Sequence, residues 1–114
     1  MERIEQELET LEGFERYLQG QDGSKVAGLA RNNCHCPLAG YLSRLRPEGE
    51  RIEVACDGIA IGDGRSRHTE LTRLFVREID DGAYCGQSVT FASARLALQR
   101  AKRAIERDRQ GVAP

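Results

Sequence analysis

The chain has 114 residues, of which 39% are hydrophobic and 31% are charged, and its formal net charge is −1. This length suits one hydrophobic core, and the apolar content excludes a disordered chain, which buries too little surface to offset its conformational entropy. No apolar run approaches the roughly 20 residues that cross a bilayer, and the acidic N-terminal segment lacks the pattern of a signal peptide, so we expect a cytoplasmic protein with no membrane partner.

The first predicted element is helical and lies between residues 4 and 18, where apolar residues recur at spacings of three and four. The stripe consists of Ile4, Leu8, Leu11, Phe14 and Leu18. Gly13 offers a break into two short helices, and Gly20 resembles a helix stop. The following "QGQDGS" indicates a loop, whereas "KVAGLAR" is too short and too interrupted by glycine to be assigned.

A second helical region is predicted from Pro37 to Arg46. Proline suits the first helical position, because its missing N–H is not needed there. The apolar face of this helix consists of Leu38, Tyr41, Leu42 and Leu45. The stretch "RPEGE", which starts at Arg46, is expected to end it.

The clearest strand signal is "RIEVACDGIAIGDG". Its Asp-Gly pair at residues 57–58 favours a two-residue hairpin turn, since both central positions of a type I′ turn need a positive φ. This register places Cys56 opposite Ile59 and Val54 opposite Ile61. Alternation then separates an apolar face from a second face formed by Glu53, Ala55 and Ala60. The apolar face consists of Ile52, Val54, Cys56, Ile59 and Ile61, so we expect Cys56 to point into the core.

Two capped helices follow the hairpin. Thr69 can cap the first, and Gly82 closes it. Its apolar stripe consists of Leu71, Leu74, Phe75 and Ile79. The second begins near Ser88 or Thr90 and has the most regular helical pattern in the chain. Its stripe consists of Phe91, Ala94, Leu98, Ala101 and Ile105.

These elements predict an α+β fold in the order ααββαα, with helices packed on a small antiparallel sheet, the β-hairpin. An isolated two-stranded hairpin is only marginally stable, so its apolar face must be covered by the helices, or extended by another strand or a second subunit. We expect one compact domain over residues 1–110 and a short tail over residues 111–114.

The cluster of Cys34, His35 and Cys36 suggests a metal site, a reactive thiol or an ordinary helix start. A structural zinc site usually has two close pairs of ligands, whereas this C-x-C pair has no second close pair in the sequence. A helix N-terminus stabilises a thiolate, which favours reactivity at Cys36 or Cys34. The favoured interpretation is structural, with Cys36 and Pro37 beginning a helix and the thiols acting as small buried groups. We therefore expect no metal.

The segment "GDGRSRHTE", residues 62–70, joins the hairpin to a helix N-terminus and is termed the arginine loop. Arg65, Arg67 and His68 could donate hydrogen bonds to an anion there, where the helix dipole already favours negative charge. The segment is not a Walker P-loop, which ends in G-K-[ST], and Asp63 weakens the attraction. The alternative is a solvated connecting loop with a Thr69 cap.

Charge is distributed unevenly along the chain. Residues 1–16 contain six glutamates and two arginines, a local charge of −4, whereas residues 95–109 contain six basic and two acidic residues, a local charge of +4. The two ends are expected to attract each other or to recruit oppositely charged partners. The arginines of the last helix either bind an anion or partner, or only keep its outer face soluble. They are Arg95, Arg100, Arg103 and Arg107.

The stretch "CHCPLAGYL" resembles a set of small uncharacterised bacterial and phage proteins. In these, a CPLAxYL helix precedes a short apolar hairpin and a helix that ends in an aspartate-glycine-tyrosine stretch. The second half here is "LTRLFVREIDDGAYCG", and the resemblance covers residues 32–98. It implies that Cys36 and Pro37 belong to a shared helix start. No reaction, ligand or catalytic residue is attached to the family.

No paired carboxylates, nucleophile with a base, or metal site stands out in the sequence. We therefore expect a non-enzymatic binding or regulatory protein, without a cofactor, whose partner is another protein. Its size and its resemblance fit a phage- or mobile-element-encoded inhibitor of a host factor. One alternative is a nucleic-acid-binding regulator that uses the arginine loop and the basic last helix. Another is a small thiol or zinc protein centred on Cys34 and Cys36, and a homo-oligomer is compatible with any of these.

Overall fold

Short helices and short strands alternate along the chain in the computed structural model, which describes residues 2–46 and 50–111. The helices are α1 (Glu2–Thr10), α2 (Glu12–Gln19), α3 (Pro37–Leu45), α4 (Glu70–Asp80) and α5 (Phe91–Arg109). The strands are β1 (Val26–Leu29), β2 (Ile52–Val54), β3 (Ile59–Ile61), β4 (Gly64–Ser66) and β5 (Ser88–Thr90). Among the described residues, no helix has the length and apolar character needed to span a membrane. Residues 47–49 of "RPEGE" and residues 112–114 of the predicted tail lie outside the described ranges.

The α+β class is confirmed, but the order of elements is ααβαβββαβα rather than ααββαα. Strands β1 and β5 form a two-stranded antiparallel ribbon, and β2, β3 and β4 form a three-stranded antiparallel sheet in that order. The sequence pattern does not predict β1, β4 or β5, because none of them lies in an alternating apolar run as long as that of β2 and β3, and two of them contain a glycine.

The hairpin of β2 and β3 pairs in a register shifted by two residues from the predicted one. Val54 lies opposite Ile59, and Ile52 lies opposite Ile61. Side-chain faces alternate with a period of two, so a shift of two keeps every side chain on its predicted face. These four residues are therefore buried, as predicted.

The tip of this hairpin spans residues 55–58 rather than a two-residue turn at Asp57 and Gly58. The backbone N–H of Ala55 donates to the carbonyl oxygen of Gly58 (2.9 Å) and closes the tip. The predicted core position of Cys56 is wrong, because this residue lies in the tip, beyond the last strand pair, and is exposed.

The two-residue turn of this sheet joins β3 to β4 instead. Ile61 lies opposite Gly64, so Gly62 and Asp63 form the whole connection. Gly62 has a positive φ of 57°, which tight hairpin turns require at their first position and which glycine adopts without steric cost. This turn brings the start of the arginine loop into the sheet as β4.

The predicted break in the N-terminal helical region lies at Leu11 and not at Gly13. Leu11 is fully buried with a left-handed φ of 54°, and α2 starts at the next residue. The carboxylate of Glu7 accepts hydrogen bonds from the N–H groups of Gly13 (3.2 Å) and Phe14 (2.7 Å). An acid of α1 thus satisfies donors at the start of α2, where the helix dipole favours negative charge. Gly20 follows α2, as predicted.

The predicted helix faces are confirmed with one exception. The hydroxyls of Thr69 and Thr90 accept N–H groups of the first turns of α4 and α5, and so cap both helices. Leu45 is the exception, since it is the last residue of α3 and is 47% exposed. The predicted face residues of α3 and α5 that are buried are Leu38, Tyr41, Leu42, Phe91, Ala94, Leu98 and Ala101. In α4, Leu71 and Phe75 are buried, and Leu74 and Ile79 are half-buried against the core. Ile105 of α5 is also half-buried against the core.

An aromatic cluster lies where α2, α3 and α4 meet. The ring of Phe14 packs against the ring of Tyr41 (5.2 Å between centroids) and edge-on against Phe75 (5.1 Å). Phe14 and Phe75 are at most 1% exposed. These contacts connect three helices that are far apart in sequence, so they hold the tertiary arrangement as well as the core.

Replacing Phe14 with alanine should therefore destabilise the whole fold. We expect the free energy of unfolding to fall by about 3–5 kcal/mol, the range for truncating a large buried aromatic residue. Leu45→Ala, which shortens a largely exposed side chain, should cost less than about 1 kcal/mol. Urea unfolding followed by circular dichroism measures both variants, and equal losses would contradict this packing.

Candidate functional site

The outer face of the three-stranded sheet carries a row of three side chains with a small residue at its centre. Glu53 of β2 lies opposite Ala60 of β3, and Ala60 lies opposite Arg65 of β4. Because alanine is short, the row leaves a cavity of about 330 Å³ over the sheet. This cavity is termed the sheet groove.

The sheet groove is lined by groups of opposite charge. Arg65 lines it from β4, and Arg67 from the segment that follows; both are exposed. Glu53 lines it from β2, and Asp57 lines it from the hairpin tip. Glu53 also forms an ion pair with Arg51 (Oε1 to Nη2, 2.6 Å). The groove therefore presents guanidinium and carboxylate groups together, which suits a ligand surface that carries both charges.

Gly58 allows the arginine loop to lie directly against the hairpin tip. A Cβ atom at this position would stand 2.8 Å from the carbonyl oxygen of Ser66, closer than such atoms approach. A larger residue would displace Ser66 and, with it, the flanking Arg65 and Arg67. The glycine is needed for this close approach and not for the two-residue turn that the sequence suggests.

His68 does not line the sheet groove but joins the hairpin tip to α4. Its Nε2 donates to the carbonyl oxygen of Ala55, and its Nδ1 lies 2.9 Å from Oγ1 of Thr72. Thr72 is fully buried, and the neighbouring Thr69 hydroxyl donates to the carbonyl oxygen of Leu8 in α1 (2.9 Å). Both ring nitrogens are thus engaged within the protein. The structure separates His68 from Arg65 and Arg67, with which the sequence grouped it.

The four candidate arginines of α5 have two different environments. Arg95 is half-buried, and its guanidinium donates to the carbonyl oxygens of Phe91 (3.4 Å) and Gln21 (3.3 Å), so it holds the loop before β1 against α5. The other three are exposed on the outer side of the helix: Arg100, Arg103 and Arg107. Helix α5 packs on α2, α4, β1 and β5, whereas the arginine loop forms β4 and leads into α4. The two predicted sets therefore lie on separate elements.

The oppositely charged ends of the chain meet in an ion pair. Nζ of Lys102 in α5 lies 3.0 Å from Oε1 of Glu15 in α2. Both side chains are about one-third exposed, and pairs of this kind contribute little to stability. The expected attraction is confirmed at this contact.

The thiol of Cys36 caps α3 and is buried. Its sulfur accepts the N–H of Ala39 (3.4 Å), and 7% of the residue is exposed. Burial raises the pKa of Cys36 from 9.0 to about 11, because the thiolate would lose its solvation and the hydrogen bonds at the helix start replace it only in part. The predicted role of Cys36 at the start of α3 is confirmed, and burial opposes the stabilisation of the thiolate that a helix N-terminus offers.

The other members of the cysteine–histidine cluster face different surroundings. Cys34 is half-buried, and its sulfur lies 3.9 Å from Oε1 of Glu53 at the edge of the sheet groove. His35 is exposed, and its Nδ1 lies 3.1 Å from Oδ1 of Asn32. Across residues 2–46 and 50–111, no three cysteine, histidine or acidic side chains are grouped so as to hold a metal ion.

The sequence predicts the positions of some residues of the sheet groove but not of others. Strand alternation places Glu53 and Ala60 on the face opposite the apolar residues, where the structure has them. The positions of Asp57 and Arg65 depend on the four-residue tip and on β4, for which the hydrophobic pattern carries no signal. Gly62 is the one residue that could have indicated β4, because glycine favours a second tight turn at this position.

Cys36 should resist alkylation in the folded protein at pH 8. Its raised pKa reduces the thiolate fraction by about a hundredfold relative to a thiol at the ordinary value of 9.0, and burial adds steric protection. The exposed Cys56 and Cys85 should react first with iodoacetamide. Peptide mass spectrometry follows each site separately, and labelling of Cys36 at the rate of Cys56 would contradict its buried cap position.

Replacing His68 with alanine should release the hairpin tip from α4. We expect a loss of about 1–3 kcal/mol in the free energy of unfolding, because the carbonyl of Ala55 and the buried Thr72 hydroxyl each lose a partner. His35→Ala is the matched control, since this histidine is exposed, and should change stability by less than about 0.5 kcal/mol. Urea unfolding measures both, and a larger loss for His35→Ala would refute the bridging role.

No protein family, curated protein or solved structure matches the chain. The resemblance to small bacterial and phage proteins stays a prediction from the sequence motif. The function is therefore inferred from the sheet groove and the charges that line it.

Proposed function

We propose that this is a non-enzymatic binding or regulatory protein that engages another protein through the sheet groove. The row of Glu53, Ala60 and Arg65 supports this proposal most directly, because it leaves a cavity with a carboxylate at one end and a guanidinium at the other. Protein surfaces carry acidic and basic side chains at short spacing. A segment of a partner protein can therefore complement both ends of the row at once.

The occupant that fits best is an extended segment with an acidic and a basic side chain. The acid would face Arg65 and Arg67, and the base would face Asp57, which has no ion pair among the described residues. Strand β4 forms an edge of the sheet, and an edge can bind an extended segment through main-chain hydrogen bonds. Electrostatic pairing of this kind sets orientation and association rate more than affinity.

A nucleic-acid-binding regulator is the second candidate. The observation in its favour is the set of exposed arginines on one side of α5: Arg100, Arg103 and Arg107. Phosphates would be repelled from the sheet groove by the carboxylates of Glu53 and Asp57, and the net charge of −1 supplies no overall attraction. The groove therefore favours a protein partner, and α5 would have to bind nucleic acid without it.

We propose a host factor as the class of partner, because the sequence resembles small bacterial and phage proteins. A protein of 114 residues can regulate such a factor by occupying its surface, which requires no catalytic group. The charges of the groove would then select the surface. The same groove would serve a second copy of this chain if the protein forms a homo-oligomer.

A pull-down from a bacterial lysate with matched variants tests this proposal. Ala60→Arg fills the centre of the sheet groove, and Arg65→Glu combined with Arg67→Glu reverses its basic charge. We expect the wild type to retain a protein that both variants lose, with at least about a tenfold rise in Kd for the purified pair. Arg109→Glu, a charge reversal at the exposed end of α5, should retain it.

Several outcomes would contradict the proposed binding of a protein partner. The proposal fails if the wild type retains no protein and forms no oligomer in light scattering, or if a retained protein is kept equally by both groove variants. Retention on heparin with a steep salt dependence, lost on reversal of Arg100 and Arg103 but not of Arg65 and Arg67, would support nucleic-acid binding by α5 instead.

A further inference from the structure

A second cavity lies on the other side of the hairpin tip, against the C-terminal half of α4. Its volume is about 320 Å³, within the range of small-molecule sites. Cys56 lines it from the tip, whereas the adjacent Ala55 and Asp57 line the sheet groove. Three arginines line this second cavity, which is termed the arginine cleft: Arg31, Arg73 and Arg77.

Arg31 is held in a backbone conformation that residues other than glycine rarely adopt. Its φ of 54° lies in the left-handed region. Its N–H donates to Oδ1 of Asp80 (2.8 Å), and its Nε donates to the carbonyl oxygen of Asp80 (3.2 Å). These bonds fix the start of the side chain against the end of α4. Within the described residues, neither Nη group has an acceptor, so both can bind a ligand.

Arg73 and Arg77 add two more donors on the same side of the cleft. They are one turn apart on α4, so their side chains project from the same face. Both are exposed, and neither forms an ion pair with a described residue. Like charges at this spacing repel each other unless an anion lies between them. Asp80 and Asp81 also line the cleft and reduce its charge to +1, although the Asp80 carboxylate already accepts the N–H of Arg31.

We propose that the arginine cleft binds a phosphate dianion, either free or as the monoester of a small molecule. This inference goes beyond the binding of a protein partner and does not depend on it. Three guanidinium groups offer more donors than a carboxylate can accept at once, whereas a phosphate has an oxygen for each of them. The cavity is larger than one phosphate group, which leaves room for the organic part of a monoester beside Cys56 and Val76.

Titration of the full chain with inorganic phosphate, followed by amide NMR, tests this site. Chloride keeps the ionic strength constant. We expect saturable shifts at Arg31, Cys56, Arg73 and Arg77. A second titration with glycerol phosphate separates the two sources of the anion, since tighter binding of the monoester indicates contacts to its organic part and equal binding indicates a site for the free ion.

Variants of the cleft and a control variant on α5 distinguish binding at this site from a general effect of the protein's charge. Arg73→Gln combined with Arg77→Gln should weaken phosphate binding by at least about tenfold, because charge-assisted hydrogen bonds are lost. Arg109→Gln, at the exposed end of α5, should leave the Kd unchanged. Arg31→Asn removes a guanidinium but retains a residue that tolerates the left-handed conformation, so binding should weaken about threefold or more while Tm stays within a few degrees.

Three results would overturn the proposal. They are shifts that do not saturate, shifts centred on Arg65 and Arg67 rather than on the cleft, and an unchanged Kd in the Arg73→Gln and Arg77→Gln variant. If that variant is unfolded, which its amide spectrum would reveal, Arg31→Asn decides the outcome by its effect on Kd alone.

Discussion

Burial of the apolar face of β2 and β3 is the constraint on which the rest of the structure depends. Its four side chains, Val54 and three isoleucines, are at most 4% exposed, and α3 packs over β2. Burying each contributes roughly 1.5–3 kcal/mol, so together they match the net stability of a typical domain, about 5–15 kcal/mol. Because strand faces alternate, burial of this face leaves Glu53, Ala60 and Arg65 on the opposite face. The sheet groove is therefore a geometric consequence of the core.

Polar contacts, in contrast, hold the hairpin tip. Cys56 and Asp57 are exposed, so apolar packing cannot fix their position. His68 ties the tip to the buried Thr72, and the absence of a side chain at Gly58 lets the arginine loop approach it closely. The tip separates the sheet groove from the arginine cleft, so these few contacts set the shape of both cavities.

Two opposing effects act on the pKa of the Cys36 thiol: the helix N-terminus lowers it, and burial raises it. A helix N-terminus favours a negative charge by about 0.3–1 kcal/mol at exposed sites, and by up to about 2 kcal/mol when partly buried. The pKa of Cys36 rises from 9.0 to about 11, so the protein favours the neutral thiol over the thiolate by roughly 3 kcal/mol more than water does. Loss of solvation is therefore the stronger effect. Cys36 therefore acts as a buried cap. Among the described residues, Cys56 is the only exposed thiol that lines the sheet groove or the arginine cleft.

The sequence by itself determined the α+β class, the helical segments with most of their buried faces, and the four buried residues of the hairpin, because these follow from periodicities of 3.6 and 2 residues within one segment. Only the tertiary structure decided the pairing of β1 with β5, in which Val26 lies opposite Thr90, since such short strands form only when distant segments meet. It also decided the four-residue tip, the inward hydrogen bonds of His68 and the approach of Arg31 to α4. These depend on distances between side chains from different elements, and hydrophobic patterns along a chain carry no information about such distances.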